Sequence, residues 1–198
     1  VSILILGCQD DDFQFDYDTS TTIPSTSNLS SLIQRSLQNK TTKDNFIDGS
    51  SAVKIEFPYA FQINNQSFNL VEESDYQNVI AYLEDENLFI YDVDFSFPLQ
   101  ASLVNFETTT ILDLTQFEAT LASALESSEI NCIQFNYPLE LNSFQLSSAN
   151  STTRIFNNRA QFFNYLEEIK QQDGFYEFTY PISVSVNGAT NLIESVTD

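Results

Sequence analysis

Ile55-Glu-Phe-Pro58-Tyr-Ala-Phe61, Phe95-Ser-Phe-Pro98-Leu-Gln-Ala101, Phe135-Asn-Tyr-Pro138-Leu-Glu-Leu141 and Phe178-Thr-Tyr-Pro181-Ile-Ser-Val184 carry one pattern: apolar, polar, aromatic, Pro, apolar, polar, apolar. The prolines fall 40, 40 and 43 residues apart, which reads as a tandem repeat. In the first stretch Ile55, Phe57, Tyr59, Phe61 and Ile63 share one side, and Glu56, Pro58, Ala60 and Gln62 the other. The other three stretches alternate likewise, so each predicts a strand with one buried and one wet face, paired antiparallel. A proline removes a ladder hydrogen bond from a central strand. Pro58, Pro98, Pro138 and Pro181 are therefore expected at bulges or sheet edges, where they discourage edge-to-edge pairing.

Turn residues follow the strands, Asn64-Asn65, Asn142-Ser143 and Asn187-Gly188, then a second strand, then a helix start. Ser74-Asp-Tyr-Gln77 and Thr115-Gln-Phe-Glu118 read as capping boxes, and Asn158-Arg-Ala-Gln161 as a looser one. Behind them run apolar stripes: Tyr76, Val79, Ile80 and Leu83; Phe117, Leu121, Ala124 and Leu125; Phe162, Leu166 and Ile169. The expected fold is α+β, four tandem ββα repeats of antiparallel hairpins with helices packed on one face. Repeats are placed at 51–87, 88–129, 130–173 and 174–198, behind a capping helix and linker at 28–50 that carries Leu29, Leu32, Ile33 and Leu37. The fourth repeat reaches Ser195-Val-Thr-Asp198, a further capping pattern, without its helix. The chain is thus expected to continue past Asp198, with Phe178, Tyr180, Ile182 and Val184 partly uncovered.

The chain begins Val1-Ser-Ile-Leu-Ile-Leu-Gly-Cys8, without a methionine anywhere, so its start is expected to lie upstream. This short apolar run is too brief to span a bilayer, and residues 1–7 read as the remnant of a secretory signal. Ile5-Leu6-Gly7-Cys8 resembles the lipobox of bacterial lipoproteins, in which the cysteine sulfur carries diacylglycerol. Gln9-Asp10-Asp11-Asp12 resembles the acidic export signal of surface lipoproteins of the Bacteroidota, and Gln9 does not match the inner-membrane retention signal. The Asp-, Ser- and Thr-rich stretch that completes residues 8–27 reads as a hydrated tether. Lipobox, acidic patch and aromatic-Pro repeat together resemble a group of uncharacterised surface lipoproteins of flavobacteria and their relatives. The resemblance implies an outer-membrane anchor facing the medium, and no activity.

Composition narrows the chemistry. Seven basic against 28 acidic residues leave a net charge of −21, which repels nucleic acid and anionic head groups. The 18 Phe and 9 Tyr belong to a folded chain. Histidine is absent, so neither a Ser-His-Asp nor a Cys-His machine can be assembled from these residues. Cys132 has no neighbouring base to activate it and reads as a structural residue. Asp16 with Asp18, and Asp92 with Asp94, offer alternating carboxylates but lack the Gly and distal Glu of a calcium loop. Glu84-Asp85-Glu86 reads as solvated surface. Tryptophan is absent, leaving Tyr17, Tyr91 and Tyr176 as candidate sugar platforms. No catalytic residue, metal or cofactor is assigned. The expected role is a non-catalytic spacer, scaffold or interaction module, touching the membrane through its lipid and meeting a second surface protein or a glycan. The alternative is a carbohydrate-binding or carbohydrate-processing accessory lipoprotein, or an enzyme whose catalytic part lies past residue 198.

Lipidation has a direct readout. Labelled palmitate is expected to enter the wild type and not Cys8→Ala, and label retained by the variant refutes the assignment.

Overall fold

The computed structural model describes residues 21–145 and 151–196. Cys8, Gln9, Asp10, Asp11 and Asp12 lie outside the described residues, as do Asp16, Tyr17 and Asp18. The fold is mixed α+β, with antiparallel sheets throughout and, among the described residues, 13 strands and five helices.

Each proline stretch is two strands and not one. The first runs as β2 (Val53–Ile55), breaks at Pro58, and resumes as β3 (Tyr59–Ile63), which turns into β4 (Gln66–Leu70). The second gives β5 (Val93–Phe95), β6 (Leu99–Leu103) and β7 (Thr108–Ile111). The third gives β8 (Ile133–Phe135), β9 (Leu139–Phe144) and β10 (Ser151–Phe156). The fourth gives β11 (Phe175–Phe178), β12 (Ile182–Val186) and β13 (Ala189–Ile193). The peptide bonds before Pro58, Pro98, Pro138 and Pro181 are all cis. This corrects the expectation of bulges and edges within continuous strands: each proline marks the point where the chain leaves one sheet and enters another.

The sheets are built by exchange. β2 pairs with β6 of the second stretch, and β5 pairs back onto β3 of the first. The third and fourth stretches do the same, β8 with β12 and β11 with β9. The register is identical in all four junctions. The residue three past one proline faces the residue three before the other, in the pairs Phe61↔Phe95, Ala101↔Ile55, Leu141↔Phe178 and Val184↔Phe135. One further bond closes each junction, from the N–H two residues before a proline to the carbonyl two residues past its counterpart. These bonds run from Glu56 to Gln100 (2.8 Å), Ser96 to Ala60 (2.9 Å), Asn136 to Ser183 (2.9 Å) and Thr179 to Glu140 (2.9 Å). Where the ladder stops, it stops symmetrically.

Alternation holds across the breaks. Tyr59, Leu99, Leu139 and Ile182, just past the prolines, are buried, while Phe57, Phe97, Tyr137 and Tyr180, just before them, are half-buried. Asn64 and Asn65 both have positive φ (49° and 64°), as do Asn187 and Gly188 (49° and 83°), the conformation that two-residue hairpin turns demand. The apolar faces form two core clusters. One gathers Val53, Ile55, Phe61, Ile63, Leu99 and Ile111 from the first two stretches, and the other Leu139, Leu141, Tyr176, Phe178, Ile182 and Val184 from the last two.

Helices cover these faces, and two of them start at other caps than the expected ones. α1 (Asn28–Leu37) is capped by Ser27, and the short α2 (Asn45–Asp48) lies within the expected linker. Before α3 (Tyr76–Asp85) the box is Glu72 with Asp75, not Ser74 with Gln77. For α4 (Leu114–Ser123) Asp113 accepts from the Gln116 N–H (2.9 Å) and the Gln116 side chain accepts from the Leu112 N–H (3.0 Å), so Thr115 is not the cap. α5 (Arg159–Gln171) starts as expected, Asn158 accepting from the Gln161 N–H (3.0 Å). Leu125 stands past the end of α4 and is exposed, not part of its buried stripe. The end of the expected tether is also folded: β1 (Ile23–Pro24) pairs with β11, and Ile23 is buried.

Exchange makes a testable demand. Ile55→Ala empties a fully buried site in β2, a change that costs about 2–5 kcal/mol. Amide exchange is expected to accelerate in β6 and β7 at least as much as in β3, measured by hydrogen–deuterium exchange. Acceleration confined to β3 and β4 contradicts the exchanged pairing.

Candidate functional site

An apolar opening lies between α1 and the sheet β8-β12-β13. It is a cavity of about 490 Å³ walled by Ile133 and Phe135 of β8, Ile182, Val184 and Val186 of β12, Ile193 of β13, and Leu29, Leu32 and Ile33 of α1. Among the described residues no ionisable side chain other than Tyr180 borders it. Local sequence explains the opening: α3, α4 and α5 each follow a hairpin, and no described helix follows β12-β13. α1 supplies partial cover instead. Phe178, Ile182 and Val184 are buried, contrary to the expected uncovering, and Tyr180 alone of that set stays half-buried. Leu29 and Leu32 remain 44% and 47% exposed at the rim, so the apolar surface continues onto α1.

A second feature is electrostatic. Asp44 precedes α2 and is fully buried, its Oδ2 accepting from the Ile55 N–H (2.8 Å) on β2, the outer strand of its sheet. Asp48 ends α2, and its Oδ1 accepts from the Ser50 N–H (3.0 Å). The remaining oxygens, Asp44 Oδ1 and Asp48 Oδ2, are enclosed with no protein partner. Burial pushes the Asp44 carboxyl up to about 6. Burial first and the Asp44 charge second push Asp48 up to about 8. Tyr59 and Tyr76, whose hydroxyls stand 3.5 Å apart, are raised too, chiefly by burial. Gly49, with φ of 71°, closes α2 in the left-handed region and donates to Asn45 O (3.0 Å). A carboxyl with a raised pKa is what a general acid needs. Asp48 also borders a shallow cleft of about 450 Å³ with Asp92 and Tyr91. Its unpartnered oxygen, Oδ2, is enclosed.

Of the residues singled out from sequence, only the prolines are brought together: they are exposed, and the register that holds on both sides of each break sets Pro58 against Pro98 and Pro138 against Pro181. Cys132 is a free, exposed thiol whose main-chain carbonyl accepts from the Asn187 N–H (2.8 Å). Asp92 and Asp94 are exposed, and among the described residues no group of three or more acidic, Cys or His side chains is arranged for a metal. Tyr176 is corrected as a sugar platform: it is fully buried, its hydroxyl donating to Ser30 Oγ (3.1 Å). Tyr91 is half-buried and its hydroxyl donates to the Phe46 carbonyl. A polar cleft escaped sequence reading because its residues are scattered along the chain. About 600 Å³ in volume, it is lined by Gln34, Gln38, Asn105, Asn164, Arg35, Glu107 and Glu167, with Phe106 and Phe163.

No family model matches the chain, and comparison with curated proteins and with solved structures finds no match either. Among the described residues no helix is long and apolar enough to cross a membrane.

The buried carboxyls fix the sign of a pH effect. Both pKa values are higher folded than unfolded, so the folded state holds more protons between about pH 4 and pH 8 and stability falls as pH rises through that window. Asp48→Asn is expected to flatten the fall and to gain about 1 kcal/mol or more at pH 8 in urea unfolding, whereas Asp85→Asn on the exposed end of α3 is expected to change little.

Proposed function

We propose that this chain is a non-catalytic spacer or scaffold of the bacterial surface. It is anchored in the outer membrane by lipid on Cys8, with Gln9-Asp10-Asp11-Asp12 as its export signal. In this reading the folded part is four tandem ββα units used two by two, with no described helix after the fourth hairpin, and the chain is akin to the flavobacterial surface lipoproteins it resembles. The reciprocal exchange at the proline breaks supports it most directly. Each unit contributes a strand to the sheet of its partner, so two units cannot hinge apart without tearing main-chain pairing. A stiff block on a tether suits holding a further module or a partner protein away from the lipid surface. Contact with the membrane is through the acyl chains alone, because the net charge of −21 opposes anionic head groups.

One observation favours a second reading, an accessory module for glycans. The cleft at Gln34, Gln38, Asn105 and Asn164 combines side-chain amides, carboxylates and the rings of Phe106 and Phe163, the mixture of hydrogen-bonding and apolar groups that a sugar ring matches. A glycan screen with Asn164→Ala as control separates the two: sequence-specific binding lost in the variant supports the glycan module, and no binding leaves the scaffold.

Surface placement has its own test in the exposed thiol of Cys132. A membrane-impermeant maleimide added to intact cells is expected to label the wild type and not Cys132→Ser. Labelling only after lysis would place the protein inside the envelope and overturn the assignment.

A further inference from the structure

We infer that the loop between α3 and β5 is a docking site for a basic protein segment, in which Phe89 and Ile90 enter an apolar face flanked by Lys or Arg. The inference rests on the scaffold reading and deepens it by naming the surface that meets a partner. Phe89 and Ile90 are neighbours in the middle of the loop and are 90% and 93% exposed. Their exposure does not come from a loose chain. Asn87, with φ of 51°, closes α3: its N–H donates to the Glu84 carbonyl (3.2 Å) and the Leu88 N–H to the Leu83 carbonyl (2.9 Å). Leu88 packs against the core of the first two stretches, as does Tyr91, whose hydroxyl donates to the Phe46 carbonyl. With Leu88 and Tyr91 held inward, the two residues between them face out. Apolar side chains presented by pinned neighbours have little backbone freedom left to lose on binding. Two clefts adjoin them, one of about 590 Å³ at Ile80, Leu83 and Leu88, and the shallow one of about 450 Å³ at Asp48 and Asp92. Phe89 borders both, and Ile90 and the 55% exposed Leu114 border the second. Single exposed apolar residues are ordinary, whereas several together beside a concave surface mark a place of contact.

Charge selects the partner. Glu84, Asp85 and Glu86 before the two residues, and Asp92 and Asp94 after them, are all exposed. No Lys or Arg stands between Lys54 and Arg154 in the chain, and among the described residues none borders either cleft. The basic residues on either side of α2 are engaged elsewhere, Lys43 by Glu73 and Lys54 by Glu56 (2.6 Å). Glu84, Asp85 and Glu86 also stand at the C-terminal end of α3, where the macrodipole favours a cation, and the last turn of the helix holds none. A Lys or Arg from a partner is therefore drawn by the carboxylates and by the helix end together. Phe89 supplies the anchor, since an aromatic side chain at the centre of a contact carries much of its energy. The same charge disfavours other occupants. A second copy would bring acid against acid, and anionic head groups are repelled.

The test titrates the 198-residue chain against a fluorescent amphipathic peptide of Leu and Lys, and against its counterpart of Leu and Glu. The Lys peptide is expected to bind and the Glu peptide not. Phe89→Ser with Ile90→Ser changes no charge and is expected to weaken binding about tenfold or more. Ile155→Ser with Leu192→Ser, exposed on β10 and β13, is expected to leave it unchanged. Glu84→Gln, Asp85→Asn and Glu86→Gln together are expected to weaken it more than Glu107→Gln, Glu126→Gln and Asp173→Asn, which neutralise exposed carboxyls outside both clefts, and added salt is expected to narrow the difference. All the replaced side chains are exposed, so equal thermal melting of the variants and the wild type reports an intact fold. Absent binding of the Lys peptide, equal binding of the Glu peptide, or equal losses within either pair of variants overturns the inference. Self-association of the chain that Phe89→Ser with Ile90→Ser abolishes also overturns it, since a second copy then covers the loop. So does uptake on phosphatidylcholine vesicles through the same two residues, since a membrane then takes them. The titration uses the purified chain, so its failure is separate from that of Cys132 labelling in intact cells, which tests the surface scaffold itself.

Discussion

A proline has no N–H to give to a strand ladder, and this fold is organised around where that donor is missing. At Pro58, Pro98, Pro138 and Pro181 the chain changes sheets rather than carrying a gap through one. Because the change happens at the same offset each time, the segment before one proline meets the segment after another in a fixed register. The rest follows from that junction. The alternating apolar faces of exchanged strands are forced onto common cores, and rings from different stretches come within stacking range, Phe61 with Phe95 at 6.0 Å and Phe135 with Phe178 at 5.9 Å. Such pairs contribute about 0.5–1.5 kcal/mol each beyond the area they bury.

What alternation encodes was legible, and what it leaves open was not. The side of each strand that is buried could be read from Tyr59, Leu99, Leu139 and Ile182, because a one-residue slip would have exposed them all. The partner of each strand could not. A strand running straight on through its proline and a strand exchanged at it bury the same face, so the pattern is silent between them. Helix starts failed for a different reason. Ser74 and Thr115 are good caps by type, but each stands two residues from a carboxylate, Glu72 or Asp113, whose partner at the third position also reaches the preceding N–H. The extra bond decides. Ile23 sits in a polar stretch with no period to mark it, and only its pairing with Tyr176 makes it a strand.

The candidate sites divide in the same way. That no described helix follows the fourth hairpin was visible from the order of elements, whereas the part α1 plays in filling the space was not, since nothing in Leu29 to Leu37 names the sheet it touches. Asp44 and Asp48 belong to no motif. Among 28 acidic residues their distinction is enclosure, which arises only when α2 folds back over β2 and the rings of Tyr59 and Tyr76. Scattered Gln and Asn residues become a cleft for the same reason: assembly, not spacing, brings them together.

Reciprocal exchange also constrains how such a protein changes over generations. A hairpin with its own third strand could be copied or deleted singly. Here the loss of one stretch would strip its neighbour of a strand and leave that neighbour's leading segment with no sheet to join, two bare edges at once. A duplicated single stretch would be equally stranded. Heritable gain or loss in this architecture is therefore viable by twos, and arrays of this kind are expected to carry an even number of proline junctions, with odd-numbered relatives surviving only where another chain or a cap closes the orphaned edge.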